Sequence, residues 1–306
     1  VQTTVKSDMR FDGVGLHSGR AARMVIRPAA AEQGIWFRRT DVESGDALIP
    51  ARWDAVEVSP LCTRLVNRAG LSVSTVEHVM AALAGTGIHN ALIEIDGPEV
   101  PILDGSSAPF VQAILARGAR RLPAPVRALE IRSEIRVETD AGWAALAPSD
   151  SFEMAFDIDF PDAAIGRQRL DLDLSNGAFV RELCDARTFC RQSDVATMRA
   201  NGLALGGTLR NAVVVEGDRV LSPGGLRRAD EAVRHKMLDA VGDLALAGGP
   251  VFGRYTGHRA GHALTNMLLR KLFTTPGAVR MVSCDPARAA RLPGVGAELA
   301  QMPAVA

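Results

Sequence analysis

Two periodicities divide the chain. Alternating apolar and polar positions predict strands at "ARMVIRPA", "NALIEIDG" and "VPILDG", the last two separated by the turn signal Asp96-Gly97-Pro98. Helical spacing governs "STVEHVMAALAGTG" and "SSAPFVQAILARG". Ser74 is the expected N-cap of the first, Ser107 precedes the second with Pro109 in its first turn, and Gly85 and Gly118 are the stops. The same style returns later. Strands are predicted at "ALEIRSEIRVE", "WAALAPS", "FEMAFDIDF" and "NAVVVEG", then helices over 230–247 and 261–273. Strands and helices come in blocks, which argues for α+β layers over an alternating parallel sheet. Between the blocks, "ILARGARRLPAPVRALEIRSEIRVE" runs through Gly118, arginines, Pro123 and Pro125. Such a stretch reads as a linker. It places a boundary near 124, with one α+β domain over 1–124 and a second over 125–306.

Composition narrows the function classes. Thirty-five basic residues balance 35 acidic ones, so no net field draws the chain to nucleic acid or an anionic membrane. Arg117, Arg120 and Arg121 read as a solvated helix end, because no aromatics interleave them for base stacking. The start shows no apolar core of signal-peptide type, and no segment approaches the roughly 20 apolar residues of a membrane span. Cys62, Cys184, Cys190 and Cys284 are sparse and unpaired in spacing, which suits a reducing compartment. The expectation is a cytoplasmic monomer.

The chemistry concentrates in "ADEAVRHKMLDAVGDLALAG". At about 100° per residue, Asp239 and Asp243 fall about 40° and 80° round the wheel from His235. Val233, Met237, Val241 and Leu244 gather opposite, with Asp230 as a cap and Gly248 as the end. A solvated polar face would explain this row. So would metal ligation, since residues i and i+4 can close on one ion. A third ligand must then come from elsewhere. His78 follows Glu77, and a His-plus-Glu pair suits metal-assisted hydrolysis. A capping box, Ser74-x-x-Glu77, would explain the same glutamate. "RYTGHRAGHALTN" offers His258 and His262 beside a helix start, with no spacing argument to choose between them. "GVGLHSGR" has the glycines of a phosphate loop without the strand–turn–helix context.

Together, "STVEHVMAALAGTGIHNALIEIDGPEVPILDGSSAPFV", "ARTF", "RHKMLDAVGDL" and "GHALTN" resemble the UDP-3-O-acyl-N-acetylglucosamine deacetylases, zinc amidases of lipid A synthesis. The resemblance runs from "GVGLHSG" to about residue 275. It implies one zinc held by His78, His235 and Asp239, with Glu77 as general base. It also selects His262 as the cationic acid, pairs it with Asp243, and gives Thr188 to the oxyanion. Lys236, His17, Asp159 and Phe160 are implied substrate contacts. An acyl-passage insert near 190–222 is implied as well, lined by Phe189, Met198, Leu203, Ala204 and Gly207, residues that ordinary core packing would explain equally well. Cys62 falls near the implied zinc as a neighbour that could help recruit a second, inhibitory ion. A lysine of some relatives is Gly142 here. The implied fold is two layers of sheet against a helix pair, helices facing, with the active site between them. The implied substrate is an acylated UDP-sugar. A metalloamidase on another substrate and a non-catalytic sugar-nucleotide or lipid binder are the rival readings.

Overall fold

The computed structural model describes residues 1–43 and 45–304. The expected end of the second half, at 306, lies outside them. In the first half, strands β1 (Thr3–Val5), β2 (Met9–Val14), β3 (Ala21–Pro28), β4 (Ile35–Arg39), β5 (Leu48–Pro50), β6 (Val56–Glu57), β7 (Arg64–Val66) and β8 (Ser72–Ser74) precede helix α1 (Glu77–Gly85). Strand β9 (Ala91–Ile95), helix α2 (Ala108–Arg117) and strand β10 (Ala119–Arg121) follow. The main sheet has the order β2-β3-β9-β4-β5, antiparallel except for β4 beside β9. Alternation along β3 turns Ala22, Met24 and Ile26 inward. Met24 and Ile26 share one apolar core with Val79 and Leu83 of α1 and with Phe110 and Ile114 of α2. The Phe11 ring meets Phe110 edge-on, centroids 4.9 Å apart.

The second half has β11 (Arg127–Ile131), β12 (Ile135–Thr139), β13 (Gly142–Ala147), β14 (Phe152–Asp159) and β15 (Arg167–Asp173). Then come β16 (Phe189–Arg191), α3 (Gln192–Ala200), β17 (Val213–Glu216), β18 (Arg219–Val220), α4 (Glu231–Ala245), β19 (Val251–His258), α5 (His262–Thr274) and β20 (Val279–Ser283). β19 is the centre of a seven-stranded sheet, pairing antiparallel with β13 and parallel with both β11 and β14. α4 and α5 bury Val233, Met237, Val241, Leu268 and Leu272 in the same core. Strands β16, β17 and β18 form a small separate sheet. Among the described residues, no sheet combines strands from both sides of residue 124. The architecture is mixed α and β in segregated blocks, as the two periodicities predict.

Two glycines let the halves approach closely. A β-carbon on Gly242 of α4 would lie 2.0 Å from the carbonyl oxygen of Glu77 in α1. One on Gly85, at the end of α1, would lie 2.0 Å from the Phe179 ring.

Three local expectations are corrected. "VPILDG" forms no strand: within it only Pro101 makes an isolated bridge, to Gly15, and a proline lacks the amide a ladder needs. Ser74 is not a cap: it ends β8, and α1 begins at Glu77 with Val76 before it and no side-chain cap. There is therefore no Ser74–Glu77 capping box. Ser107 and Asp230 do occupy N-cap positions, but neither side chain caps its helix. The Ser107 hydroxyl donates to the His78 carbonyl at 2.8 Å, and Asp230 accepts from Arg234 at 2.7 Å. α4 stops at Ala245, with Gly248 three residues beyond in a left-handed conformation, φ +89°.

Candidate metal and hydrolytic site

The turn between β8 and α1 sets up one side of the site. Thr75 sits at φ +59°, a costly conformation for a β-branched residue. Its hydroxyl donates to Glu99 Oε1 at 2.9 Å, which helps hold that turn. The strained turn puts Glu77 and His78 in the first turn of α1, facing α4. α4 supplies His235, Asp239 and Asp243 on successive turns. All five side chains are buried.

His78, His235 and Asp239 each offer a ligand atom, all within 4.8 Å of one another. The His78 and His235 rings meet edge-on with centroids 5.0 Å apart. Asp239 Oδ1 lies 3.3 Å from His235 Nε2 and 3.5 Å from His78 Nε2. That oxygen is buried and makes no hydrogen bond. His235 Nδ1–H donates to the Ala186 carbonyl at 3.0 Å, which turns the lone pair of Nε2 toward the cluster. Burial pushes His235 down to about 4, so the ring is a neutral donor. Burial opposes ionisation of Asp239, but His235, His78 and Lys236 outweigh it and keep the carboxylate charged. Burial also lowers His78, yet Asp239 beside it wins and raises it. A cation held by these two residues would take the place of that proton.

Glu77 and His262 stand across from the cluster. Burial pushes Glu77 up to about 7. Its Oε2 accepts the Thr63 amide at 3.1 Å, and its Oε1 lies 3.7 Å from His262 Nε2. His262 opens α5, with its Nδ1 2.7 Å from Asp243 Oδ2. Burial works against charging His262, but Asp243 and Glu77 overcome it and raise the ring to about 9. At neutral pH it is an imidazolium. The row of three therefore divides between two tasks: His235 and Asp239 join the donor cluster, and Asp243 turns to His262. It is not a solvated face.

The other expected residues sit at varying distance. Lys236 Nζ is 3.6 Å from Asp239 Oδ2, at the rim. The Phe189 ring meets His235 edge-on at 6.2 Å, and Phe160 meets Phe189 at 5.3 Å. Thr188 precedes Phe189; its amide donates to Gly105 at 2.8 Å. Asp159 pairs with Arg259 at 3.1 Å on the surface. Met198, Leu203, Ala204 and Gly207 are only half-buried, so core packing does not account for them. His17 Nδ1 accepts the Ala204 amide at 3.4 Å, tying the first loop to this segment. The amides of His17 and Ser18 donate to Glu99, both at 2.8 Å. The glycine-rich loop thus already holds an internal carboxylate. His258 pairs with Asp157 at 2.9 Å and stacks on Trp143, apart from the cluster. A side chain at 142 would meet the His258 carbonyl at 2.4 Å, which explains the glycine. Cys62 is buried, and burial pushes its thiol up to about 11, a poor thiolate without a metal.

Sequence reasoning missed Thr63, Glu99 and the Arg187–Glu231 pair. The last is a buried ion pair at 2.8 Å that joins the start of α4 to the residue before Thr188. No periodicity marks these residues, because their partners are remote in sequence.

Donors for one ion, a free carboxylate beside them and a charged imidazole opposite define a class, the metal-dependent hydrolases. Comparison with known proteins narrows it. The family model of the UDP-3-O-acyl N-acetylglycosamine deacetylases (LpxC) matches residues 2–274, and the chain belongs to that family. It is 50% identical over 280 residues to the UDP-3-O-acyl-N-acetylglucosamine deacetylase of Phenylobacterium zucineum strain HLK1, covering 92% of this chain and 96% of that one. It is 46% identical over 286 residues to proteins of the same name from Shewanella sp. strain W3-18-1 and Shewanella baltica strain OS155, covering 93% of each chain.

Proposed function

We propose that this chain hydrolyses the N-acetyl group of a UDP-3-O-acyl-N-acetylglucosamine, releasing acetate and the free amine, a step of lipid A synthesis in the cytoplasm. Family membership supports the substrate class. The observation that carries the chemistry is the meeting of His78, His235 and Asp239 beside Glu77 and His262.

The donor set fits a divalent cation. Two imidazoles and a carboxylate suit zinc, with a further position left for water or substrate. A dication would offset the negative charge that Asp239, Asp243 and Glu77 bring together against the His262 imidazolium, and buried charge needs such compensation. Bound there, zinc supplies a Lewis acid that lowers the pKa of water.

The chain's own groups carry the protons. Glu77 Oε1 accepts one from the attacking water. The water oxygen adds to the acetamide carbonyl, and the Thr188 hydroxyl donates to the oxyanion that forms. His262 Nε2–H faces the same gap and gives its proton to the departing nitrogen as the carbon–nitrogen bond breaks. Asp243 keeps His262 charged and oriented for this step. Lys236, Asp159, Phe160 and His17 are assigned to the nucleotide-sugar. Phe189, Met198, Leu203, Ala204 and Gly207, in the insert near 190–222, are assigned to the acyl chain. In this reading the site lies between domains 1–124 and 125–306 of a monomer.

Elemental analysis beside an acetate-release assay tests the proposal. About one zinc per chain is expected, with activity lost on chelation and restored on repletion. Acylated UDP-N-acetylglucosamine should be cleaved and the unacylated form spared. Metal-free protein that binds the acylated substrate without cleaving it would instead favour a binding module.

A further inference from the structure

Thr63 lies outside the donor cluster and outside every motif that led to the site. It immediately precedes β7, which pairs with β8, the strand that leads into α1. Its side chain is buried. Two carboxylates from different elements converge on it. The backbone amide donates to Glu77 Oε2 at 3.1 Å. The hydroxyl donates to Asp243 Oδ1. Its carbonyl accepts from Val76, the residue before α1, at 3.4 Å.

Each bond occupies one oxygen of a carboxylate and leaves the other free. With Oε2 of Glu77 held, Oε1 is the oxygen turned to the gap in front of His262. With Oδ1 of Asp243 held, Oδ2 takes the imidazole at 2.7 Å. A carboxylate with two equivalent free oxygens could rotate about its terminal bond and present either; fixing one removes that freedom. One residue thus sets the geometry of both ends of the proton path, the acceptor through its backbone and the donor through its side chain. We infer that Thr63 is a positioning residue of the hydrolytic site, holding Glu77 and the Asp243–His262 pair in register. This rests on the hydrolytic reading above.

The two attachments separate experimentally, since only the hydroxyl depends on the side chain. Thr63→Val keeps the shape and the amide but removes the donor to Asp243. Thr63→Ser keeps the donor and loses only a methyl group. The expected result is a roughly 10–100-fold fall in kcat for Thr63→Val, the usual cost of losing a supporting hydrogen bond. KM and metal content should be unchanged, and Thr63→Ser should stay within about threefold of the wild type. In an Asp243→Ala background, Thr63→Val should have little further effect, because residues acting through one contact are not additive. The His262 Nδ1 proton should give a downfield resonance that shifts in Thr63→Val and stays in Thr63→Ser. If Thr63→Val does not fold, Thr63→Ala, read by the same kcat, KM and resonance, replaces it. Retained kcat in a folded, metal-replete Thr63→Val or Thr63→Ala protein overturns the inference, as does an undiminished effect in the Asp243→Ala background. An inactive, metal-replete wild type overturns the hydrolytic reading itself, and the inference with it.

Discussion

At the scale of single residues, the proposed reaction divides proton work between two groups whose pKa burial shifts in opposite directions. Burial raises Glu77 to about 7, where a carboxylate can both take and release a proton near neutrality. Carboxylates around His262 overcome burial and hold it at about 9. The acid is therefore charged below about pH 9 and lost above it. The rate should fall as pH rises through that value. Asp243→Asn removes the main partner and should move the falling limb about one unit or more toward acid, which a pH profile of kcat will show. Glu77→Ala should retain its zinc and lose roughly 10²–10⁴-fold in turnover. A variant that lost the metal but kept full turnover per bound ion would end the assignment of Glu77 as base. Much of this was legible as residue types at spacing: the i, i+4 row named three side chains that the fold gathers at the site. Spacing did not say that Asp243 leaves the row to meet His262, a pairing only the family resemblance implied, because that partner arrives from 19 residues away on another helix.

At the scale of elements, the site depends on how closely α1 and α4 approach. Gly242 has no side chain, and the space a β-carbon would take is filled by the Glu77 carbonyl. Gly242→Val must push the helices apart. It should destabilise the fold by about 1–3 kcal/mol or more, by the usual cost of overpacking. It should also weaken zinc binding, since His78 moves away from His235 and Asp239. Denaturant unfolding and a metal competition assay check the two effects separately. Helix and strand identities were mostly legible from periodicity. The boundary of α1 was not. Ser74 and Glu77 have the spacing of a capping box, yet β7 claims Ser74 as a strand partner and Thr63 claims the glutamate. A local motif lost to tertiary partners.

At the scale of the whole molecule, the donors come from segments more than 150 residues apart. An ion bound to all three ties α1 to α4 and binds only the folded chain. Zinc should therefore raise the melting temperature, by an amount that grows with its free concentration and corresponds to about 4 kcal/mol at a thousandfold excess over Kd. Chelation should reverse it. His235→Ala, lacking one donor, should show little of the effect. By itself, the sequence determined the α+β blocks, the donor types on α4, the family resemblance, and a composition with no bias toward nucleic acid. Those features are local, since periodicity, spacing and charge are properties of neighbouring residues. Tertiary structure alone decided which oxygen of each carboxylate is free, how burial sorts the histidines into neutral and charged, and that Thr63 stands between base and acid. Those depend on distance and desolvation between remote segments, which exist only once the chain has packed.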